Sequence, residues 1–468
     1  MTAAGGKKRD QNKMRLILKY MRRHLGIFLL STFFLTVEAM ADLLQPTFMS
    51  YIVDDGIEHA EVSRVLLYGF IMLGIALIGA FSAVMRSRFA SRTSQTIGKE
   101  MRRDMYRNVQ RLSLENIDRL QPASIITRIT NDVIQIQDFI NSMMRMMVKA
   151  PITCVGAILL IIFYTPRQAP VMIGIILTVS LLILGNMKIG YPRFGTVQKG
   201  LERLNDVTRQ FLSSVRVVKA FSAEQEEADK FEEASLGLAA ANVSALRTMA
   251  VFSPFINLLV NLEIVVLLWL SRSQEGAEIG KLMASVNYMT QVLFAVTMIS
   301  NILNIAVRAM ASSQRIREVL EEQPAQSRSE KPLRPTIKGE ICFQNVSFIY
   351  AGLERKALRN LDFCISPGET IGIIGPTGSG KTTLVNLVPR FYDATEGKVF
   401  IDGRDVTAID ETLLRTAIAV VPQKALLFSG KISDNLRWGC AEADDEELRR
   451  AAAIACADVF IEQTAQGA

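Results

Sequence analysis

Gly375-Pro-Thr-Gly-Ser-Gly-Lys-Thr-Thr383 decides how this chain is read. The stretch has the form G-x-x-x-x-G-K-[ST]. It lies between a short apolar run, Thr370–Ile374, and the helical pattern of Leu384–Val388. Strand, loop and helix in that order is the setting in which the pattern carries a mechanism. Its glycines let successive backbone N–H groups turn inward around phosphate oxygens, and the start of the following helix adds partial positive charge. Lys381 then neutralises the β- and γ-phosphates, and the Thr382 hydroxyl is a ligand for Mg²⁺. The expected ligands are ATP and Mg²⁺, with Gly375, Pro376, Thr377, Gly378, Ser379, Gly380, Lys381, Thr382 and Thr383 around the phosphates.

Upstream of this loop, Glu340–Tyr350 alternates apolar and polar residues as a strand does. Before it, Gln323–Thr336 contains Pro324, Pro332 and Pro335 and reads as a linker. The chain on the N-terminal side of that linker is of another kind. The whole sequence of 468 residues is 49% hydrophobic and 21% charged, with a mean hydropathy of +0.23, which directs attention to membrane spans. A helix needs about 20 apolar residues to cross a bilayer core. Val65–Met85, Ala169–Met187 and Leu282–Val307 meet that length without a charge. Leu25–Leu44 is interrupted by Glu38 and Asp42, and Thr248–Ser271 by Glu263. A further span is the apolar run Ala150–Tyr164 with the Met-rich helix that enters it. Six spans are expected.

The net charge of +7 raises a nucleic-acid partner as one reading and cytoplasmic loops as another. The distribution decides. Lys7, Lys8, Arg9, Lys13, Arg15, Lys19, Arg22 and Arg23 precede the first span. The turn after it carries Asp54, Asp55, Glu58 and Glu61 against Arg64 alone. The next loop is rich in arginine (Arg86, Arg88, Arg92, Arg102, Arg103, Arg107, Arg111), the short third loop has only Arg167, and the fourth, Lys188–Arg247, is again long and basic. This alternation puts both termini and both long loops in the cytoplasm, with no nucleic-acid partner. The absence of a small-residue cleavage site argues for a retained first helix. Ser91–Leu112 and Lys199–Phe211 have helical periodicity, so the spans are expected to continue beyond the membrane as paired rods. Five scattered cysteines (Cys154, Cys342, Cys364, Cys440, Cys456) show neither metal spacing nor a C-x-x-C pair and are expected to be reduced thiols.

A phosphate loop downstream of six spans resembles the ATP-binding cassette exporters. Tyr350 stands where that family places an aromatic that stacks on adenine. Val420-Val-Pro-Gln-Lys424 is similar to its Q-loop, which implies that Gln423 approaches Mg²⁺ and the attacking water and acts as a catalytic residue. Phe428-Ser-Gly and Asp434-Asn-Leu continue the same pattern. In the membrane half, Val53-Asp-Asp-Gly-Ile57 looks like the family's extracellular turn. Arg128-Ile-Thr-Asn-Asp-Val133 and Val215-Arg-Val-Val-Lys-Ala-Phe221 resemble the sequences around its two intracellular coupling helices. Each string alone is an ordinary amphipathic segment; together, in the two long basic loops, they carry weight.

The resemblance implies a multi-domain chain. It has a cytoplasmic tail (1–24) and an all-α six-helix transmembrane domain with long cytoplasmic extensions (25–320). A linker (321–338) leads to a partial α/β P-loop nucleotide-binding domain (339–468). It implies one half of a dimeric transporter in the plasma membrane, of a bacterial inner or cell membrane type. Such a half exports a small amphipathic molecule, drug, lipid or peptide, with a second half-transporter, homodimeric or heterodimeric, and membrane lipid as partners. The sequence also departs from the family pattern. No Ser-Gly-Gly signature follows Gln423, no apolar strand ends in Asp-Glu, and no histidine lies beyond His59. The expectation is a cassette truncated before its signature and Walker B segments, able to bind ATP and unable to hydrolyse it alone. The alternative is a non-catalytic ATP-binding half that regulates or scaffolds a complete partner. A membrane-anchored P-loop kinase is disfavoured by Gln423 and the two coupling-like segments.

Acidic groups within spans are costly and tend to face a cavity. Glu38 and Asp42, at i and i+4, share one face of the first helix, and Glu263 lies mid-span near Asn257 and Asn261. They mark either a site for cationic or amphipathic substrates or interhelical hydrogen bonds, the latter being preferred for each. Met143, Met144, Met146 and Met147 are read as helix packing.

Overall fold

An α-helix rises 1.5 Å per residue, so a span of a bilayer core about 30 Å thick uses only part of the long helices here. The computed structural model describes residues 14–463, except Gln168, residues 272–278, Ser327, Arg328, Glu330, Lys424 and Ala425. Two units, Met1–Ala325 and Gln326–Ala468, each hold their own contacts.

The elements described in the first unit are all helical. Helix α1 is described over residues 14–22. It is followed by α2 (Leu25–Tyr51), a π-turn (Ile52–Ile57), α3 (Val62–Val109), α4 (Leu114–Leu120), α5 (Pro122–Thr127) and a second π-turn (Arg128–Asp132). Then come α6 (Val133–Ser142), a third π-turn (Met143–Met147), α7 (Lys149–Tyr164), α8 (Ala169–Ala220), α9 (Glu224–Ser271) and α10 (Ile279–Glu321). Six of the helical stretches are long and apolar enough to cross a membrane, in the places the hydropathy indicates. The chain is a multi-pass membrane protein. Helices α3 and α8, of 48 and 52 residues, rise about 70 and 80 Å. They therefore project far beyond any span, as their periodicity requires.

Two apolar clusters hold this unit. In one, Ile17 and Tyr20 of α1, Ile97 and Met101 of α3, Ile136 and Ile140 of α6 and Ile316 of α10 are buried together. In the other, Leu43, Ala157, Met172, Tyr288 and Val292 join α2, α7, α8 and α10. Met144 is buried and Met143 packs on the first cluster, in keeping with a packing role, whereas Met147 is exposed.

The second unit carries β1 (Ile341–Phe348), β2 (Leu358–Ile365), α11 (Lys381–Leu387), β3 (Glu396–Ile401) and β4 (Arg404–Asp405). Helices α12 (Glu411–Ala417), α13 (Ile432–Leu436), α14 (Asp445–Ile454) and α15 (Asp458–Glu462) follow. The strands form one antiparallel sheet in the order β2-β1-β3-β4. Phe343, Val346, Val399, Ile401 and Leu387 are buried on its face.

Two expectations change here. Thr370–Ile374 is not a strand: it runs to the phosphate loop outside any ladder among the described residues. A parallel strand is stable only with a hydrogen-bonded neighbour on its flank. Instead of one, a cavity of about 310 Å³ lies beside it, lined by Phe343, Phe363, Ile371, Ile373, Val420 and Val421. Ile374 is 99% exposed. The second change concerns cysteine. Cys342 and Cys364 are disulfide-bonded, not reduced. They face each other directly in the β1–β2 register, with Cα atoms 4.1 Å apart, and a separation of 22 residues gives no local sign of that pairing. Among the described residues Cys154, Cys440 and Cys456 are free.

Candidate phosphate-binding site and its supports

The phosphate loop is built as its glycines demand. Gly378 and Gly380 have φ of +82° and +90°, a region costly for residues with a Cβ. A Cβ on Gly380 would also lie 2.8 Å from the Ala357 carbonyl oxygen, so the loop can pass β2 only as glycine. Gly380 caps α11, whose first residue is Lys381. The Lys381 ammonium turns back into the loop and donates to the carbonyl oxygens of Gly375 (2.7 Å) and Pro376 (2.8 Å). These are neutral acceptors on an exposed loop, which a phosphate can outcompete through charge-assisted bonds. Thr382 is exposed and Thr383 buried.

Tyr350 lies beside this helix. Its hydroxyl bonds to Thr383 Oγ1 at 3.0 Å, and its ring packs edge-on to Phe348 and Tyr392. The residue is half-buried, which leaves part of the ring accessible. Gln423 is exposed and makes no side-chain hydrogen bond among the described residues, and Lys424 beside it lies outside them. The structure thus brings Tyr350 to the loop, whereas no hydrogen bond joins Gln423 to it among the described residues. Asn435 accepts from the Phe428 N–H at 2.8 Å and donates to its carbonyl at 2.9 Å. Phe428 stacks on Trp438. Two pieces of the sequence pattern are therefore clamped by one side chain.

Mg²⁺ commonly keeps several waters and takes one or two protein ligands plus substrate phosphates. The described residues contain no group of three or more His, Cys, Asp or Glu that could hold a metal by itself. One exposed hydroxyl at Thr382 fits an ion carried in by a nucleotide.

Several supports were not visible as such in sequence. Asp402 receives the backbone N–H groups of Lys338, Gly339 and Glu340 at 2.6, 3.1 and 3.0 Å, closing the entry to β1. Desolvation, the largest single effect, raises its carboxyl pKa, but the three donors together outweigh it and hold the carboxyl below the usual range. Asp402-Gly403, both at positive φ, form the β3–β4 turn, and Asp-Gly is a hairpin signal. Burial and the Asp104 acceptor, at 2.9 Å, push the Tyr20 phenol up.

In the membrane unit the family-like strings act as fasteners. Asp54 is buried and accepts the N–H groups of Gly280 (2.6 Å) and Lys281 (3.1 Å), capping α10. Asp132 is buried and is held by Ser312 at 2.9 Å and Arg315 at 2.7 Å. Arg128 reaches the Arg315 carbonyl oxygen at 3.0 Å and Glu318 at 3.1 Å. Val215–Ala220 closes α8 just after a kink at Ser214, and Phe221 is exposed.

Glu38 shows the interhelical bonding foreseen as one alternative. It bonds Arg86 Nε at 2.5 Å and Lys149 Nζ at 2.8 Å, and Lys149 also meets Asp42 at 2.7 Å. The cationic partners, Arg86 at one span's end and Lys149 before another, are far away in sequence. The Glu263 side chain lies outside the described residues.

Comparison with known proteins agrees with this division. Residues 28–296 match the family described as ABC transporter transmembrane region, and residues 358–466 the family described as ABC transporter. An ABC transporter ATP-binding protein of Bacillus subtilis is 33% identical over 445 residues, covering 94% of this chain and 78% of the relative. One of Mycobacterium bovis is 33% identical over 460 residues, covering 96% and 78%. A Mycobacterium bovis protein named fatty acid ABC transporter ATP-binding/permease protein is 29% identical over 427 residues, covering 90% and 66%. With a membrane region and an ATP-binding domain fused in one polypeptide, the chain belongs to the ABC transporters, in the exporter-like half-transporter arrangement.

Proposed function

We propose that the chain is one half of an ATP-driven exporter of a small amphipathic molecule, drug, lipid or peptide. In this reading Tyr350 stacks on adenine and Gly375–Thr383 cradle the phosphates. Lys381 leaves its loop carbonyls for the β- and γ-phosphates, and Thr382 and Gln423 complete the Mg²⁺ site. The ion would spread the charge of the phosphates; the chain's own contribution is to bind and orient them. Closure of two such units then drives the membrane helices between two arrangements in the plasma membrane. Relatives whose names specify only ABC transport, and one named for fatty acids, are compatible with an amphipathic cargo.

The observation that carries the dimer is the α8–α9 pair. Both helices extend well past a bilayer's thickness, and their far ends expose Leu212 (65%), Phe221 (79%) and Leu236 (62%). Apolar positions this far along helices longer than a bilayer is thick support a protein partner at these ends. The test is the mass of the detergent-solubilised chain with and without Mg-ATP, beside its binding of labelled ATP. Twice the chain mass and Lys381-dependent binding are expected. A monomer at all concentrations, or binding indifferent to Lys381→Ala, refutes the reading.

A further inference from the structure

A cavity of about 590 Å³ opens where α1, the end of α3 and the end of α10 meet. Its lining is unequal in charge. Arg15, Lys19, Arg107, Arg111 and Arg317 contribute five cations, against the carboxylates of Asp104 and Glu321. Both carboxylates are already engaged. Asp104 accepts from the Tyr20 hydroxyl at 2.9 Å and from Arg103 Nε at 3.2 Å, and Glu321 accepts from Arg317 Nε at 2.9 Å. Lys19, Arg107 and Arg111 are exposed, and their side chains make no hydrogen bond or ion pair with any described residue.

Two ordinary causes of such an excess fall short. Cations near the C-terminus of a helix answer its macrodipole, and here α3 ends at Val109 and α10 at Glu321. Each helix end offsets only about half a charge, so about two of the three excess positive charges remain uncompensated. Basic flanks of a membrane span occupy about 15–20 residues beside it. The apolar run of α3 ends at Met85 and the helix continues to Val109. Arg107, 22 residues on, therefore stands about 33 Å further along the helix. Headgroups extend a bilayer by only about 5–8 Å per leaflet, so the phosphate of a membrane lipid lies well short of the cavity.

The walls are held by packing in which none of the cations takes part. Arg15 and Lys19, at i and i+4, share one face of α1. Ile17 and Tyr20 of the same helix are buried with Met101 and Met105 of α3, and the Tyr20–Asp104 bond joins the same two helices. Like charges gathered in a cleft focus the potential on a counter-ion. Guanidinium groups match phosphate oxygens with paired N–H donors, and lysine adds a point charge. A phosphate monoester carries about −1.5 to −2 at neutral pH, close to the charge left uncompensated. The volume falls within the range of about 300–1,000 Å³ found for small-molecule sites, more than a bare phosphate needs.

We propose that this cavity binds a water-soluble phosphate monoester with a small polar body, its phosphate held by Lys19, Arg107 and Arg111. The site belongs wholly to the first unit, whereas the phosphate loop belongs to the second, and it goes beyond the export reading without depending on it.

The test is binding of radiolabelled glycerol 3-phosphate to the full chain in phosphatidylcholine nanodiscs. A saturating non-hydrolysable ATP analogue with Mg²⁺ keeps the phosphate loop filled. Saturable binding is expected, weakened about five- to tenfold by Arg107→Gln and by Arg111→Gln, and weakened by added salt. Neither arginine has a described partner to lose, so both variants should fold as the parent does. Arg92→Gln removes one charge from an exposed position of α3 outside the cavity and should leave binding unchanged. Absence of saturable binding overturns the proposal. So does an equal loss in Arg92→Gln, which would mean a diffuse field and no site. Saturable, Arg107-dependent displacement by added phosphatidylglycerol would assign the cavity to a lipid headgroup and overturn the soluble ligand. None of these substitutions lies in the nucleotide-binding unit, so failure here leaves the ATP-linked reading to its own test.

Discussion

Removing the Glu38 carboxylate should break the membrane unit more than any surface change of like size. Glu38 is 7% exposed and Arg86 8%, and they are joined at 2.5 Å. Lys149 shares Glu38 but keeps Asp42 at 2.7 Å. In Glu38→Gln, Arg86 therefore becomes the orphan, with Nη1 already lacking a partner. Breaking one side of a buried pair costs about 3–5 kcal/mol; Arg86→Leu should cost less than that, because Glu38 keeps Lys149 at 2.8 Å. The double variant Glu38→Leu/Arg86→Leu removes both charges and leaves Asp42 and Lys149 balanced. Apolar replacement of a whole buried pair is about neutral or favourable, so the double variant should lie within about 1 kcal/mol of the parent. The coupling energy then exceeds about 2 kcal/mol, beyond what independent sites show. Equilibrium unfolding in mixed micelles, read by proteolysis of the unfolded form, measures all four corners. Additive losses, or single variants within about 1 kcal/mol of the parent, refute the argument.

Other outcomes follow from single contacts. Lys381→Ala should reduce labelled-ATP binding at least about tenfold and leave the sheet unchanged, because the described bonds of the ammonium all go to the exposed loop itself; near-ultraviolet circular dichroism and a filter-binding assay read the two. Asp54→Ala strips α10 of its cap and should destabilise the membrane unit by about 1–2 kcal/mol, seen in the same micelle titration. Asp402 has a folded pKa below its ordinary value, despite the opposing effect of desolvation, because three backbone donors favour the carboxylate. Its contribution is therefore present above pH ~3.9 and lost as pH falls through the lower folded value. Asp402→Asn should lessen the acid sensitivity of the nucleotide-binding unit in pH-scanned unfolding, while making it less stable near neutrality.

What could be read in the sequence was what local periodicity and backbone chemistry determine. Gly378 and Gly380 are required by their own φ angles, and a run such as Val65–Met85 announces a span without any neighbour. Strand Thr370–Ile374 was misjudged because a strand is a relation between segments: its apolar residues are present, but no ladder receives them. Cys342 and Cys364 were missed for the same reason, since only the register of β1 against β2 places them opposite. Glu38 could be recognised as costly, whereas its partners Arg86 and Lys149, 48 and 111 residues away, could not. Asp402-Gly403 has a legible signal, an Asp-Gly pair directly after the apolar run Val399-Phe400-Ile401.

The described bonds also set the α8–α9 pair apart from the other helices of its unit. Helix α10 is tied at successive heights to the rest of its unit. Asp54 caps its start, the Tyr288 hydroxyl meets Thr47 at 2.5 Å and the Leu43 carbonyl at 3.2 Å, and Asp132 holds Ser312 and Arg315. Near its end Asn108 donates to the carbonyls of Val319 and Glu322. By contrast, the side-chain bonds described between α8 or α9 and another helix join the two to each other, as Arg193 to the Ser244 carbonyl and Arg203 to Glu233. A group of helices fastened by buried, charge-assisted bonds moves as one body, since each bond is costly to leave unmade. A hairpin fastened mainly to itself can follow a different body. Rearrangement of the membrane unit should therefore separate α8 and α9 from the group fastened around α10 before it breaks the bonds within that group.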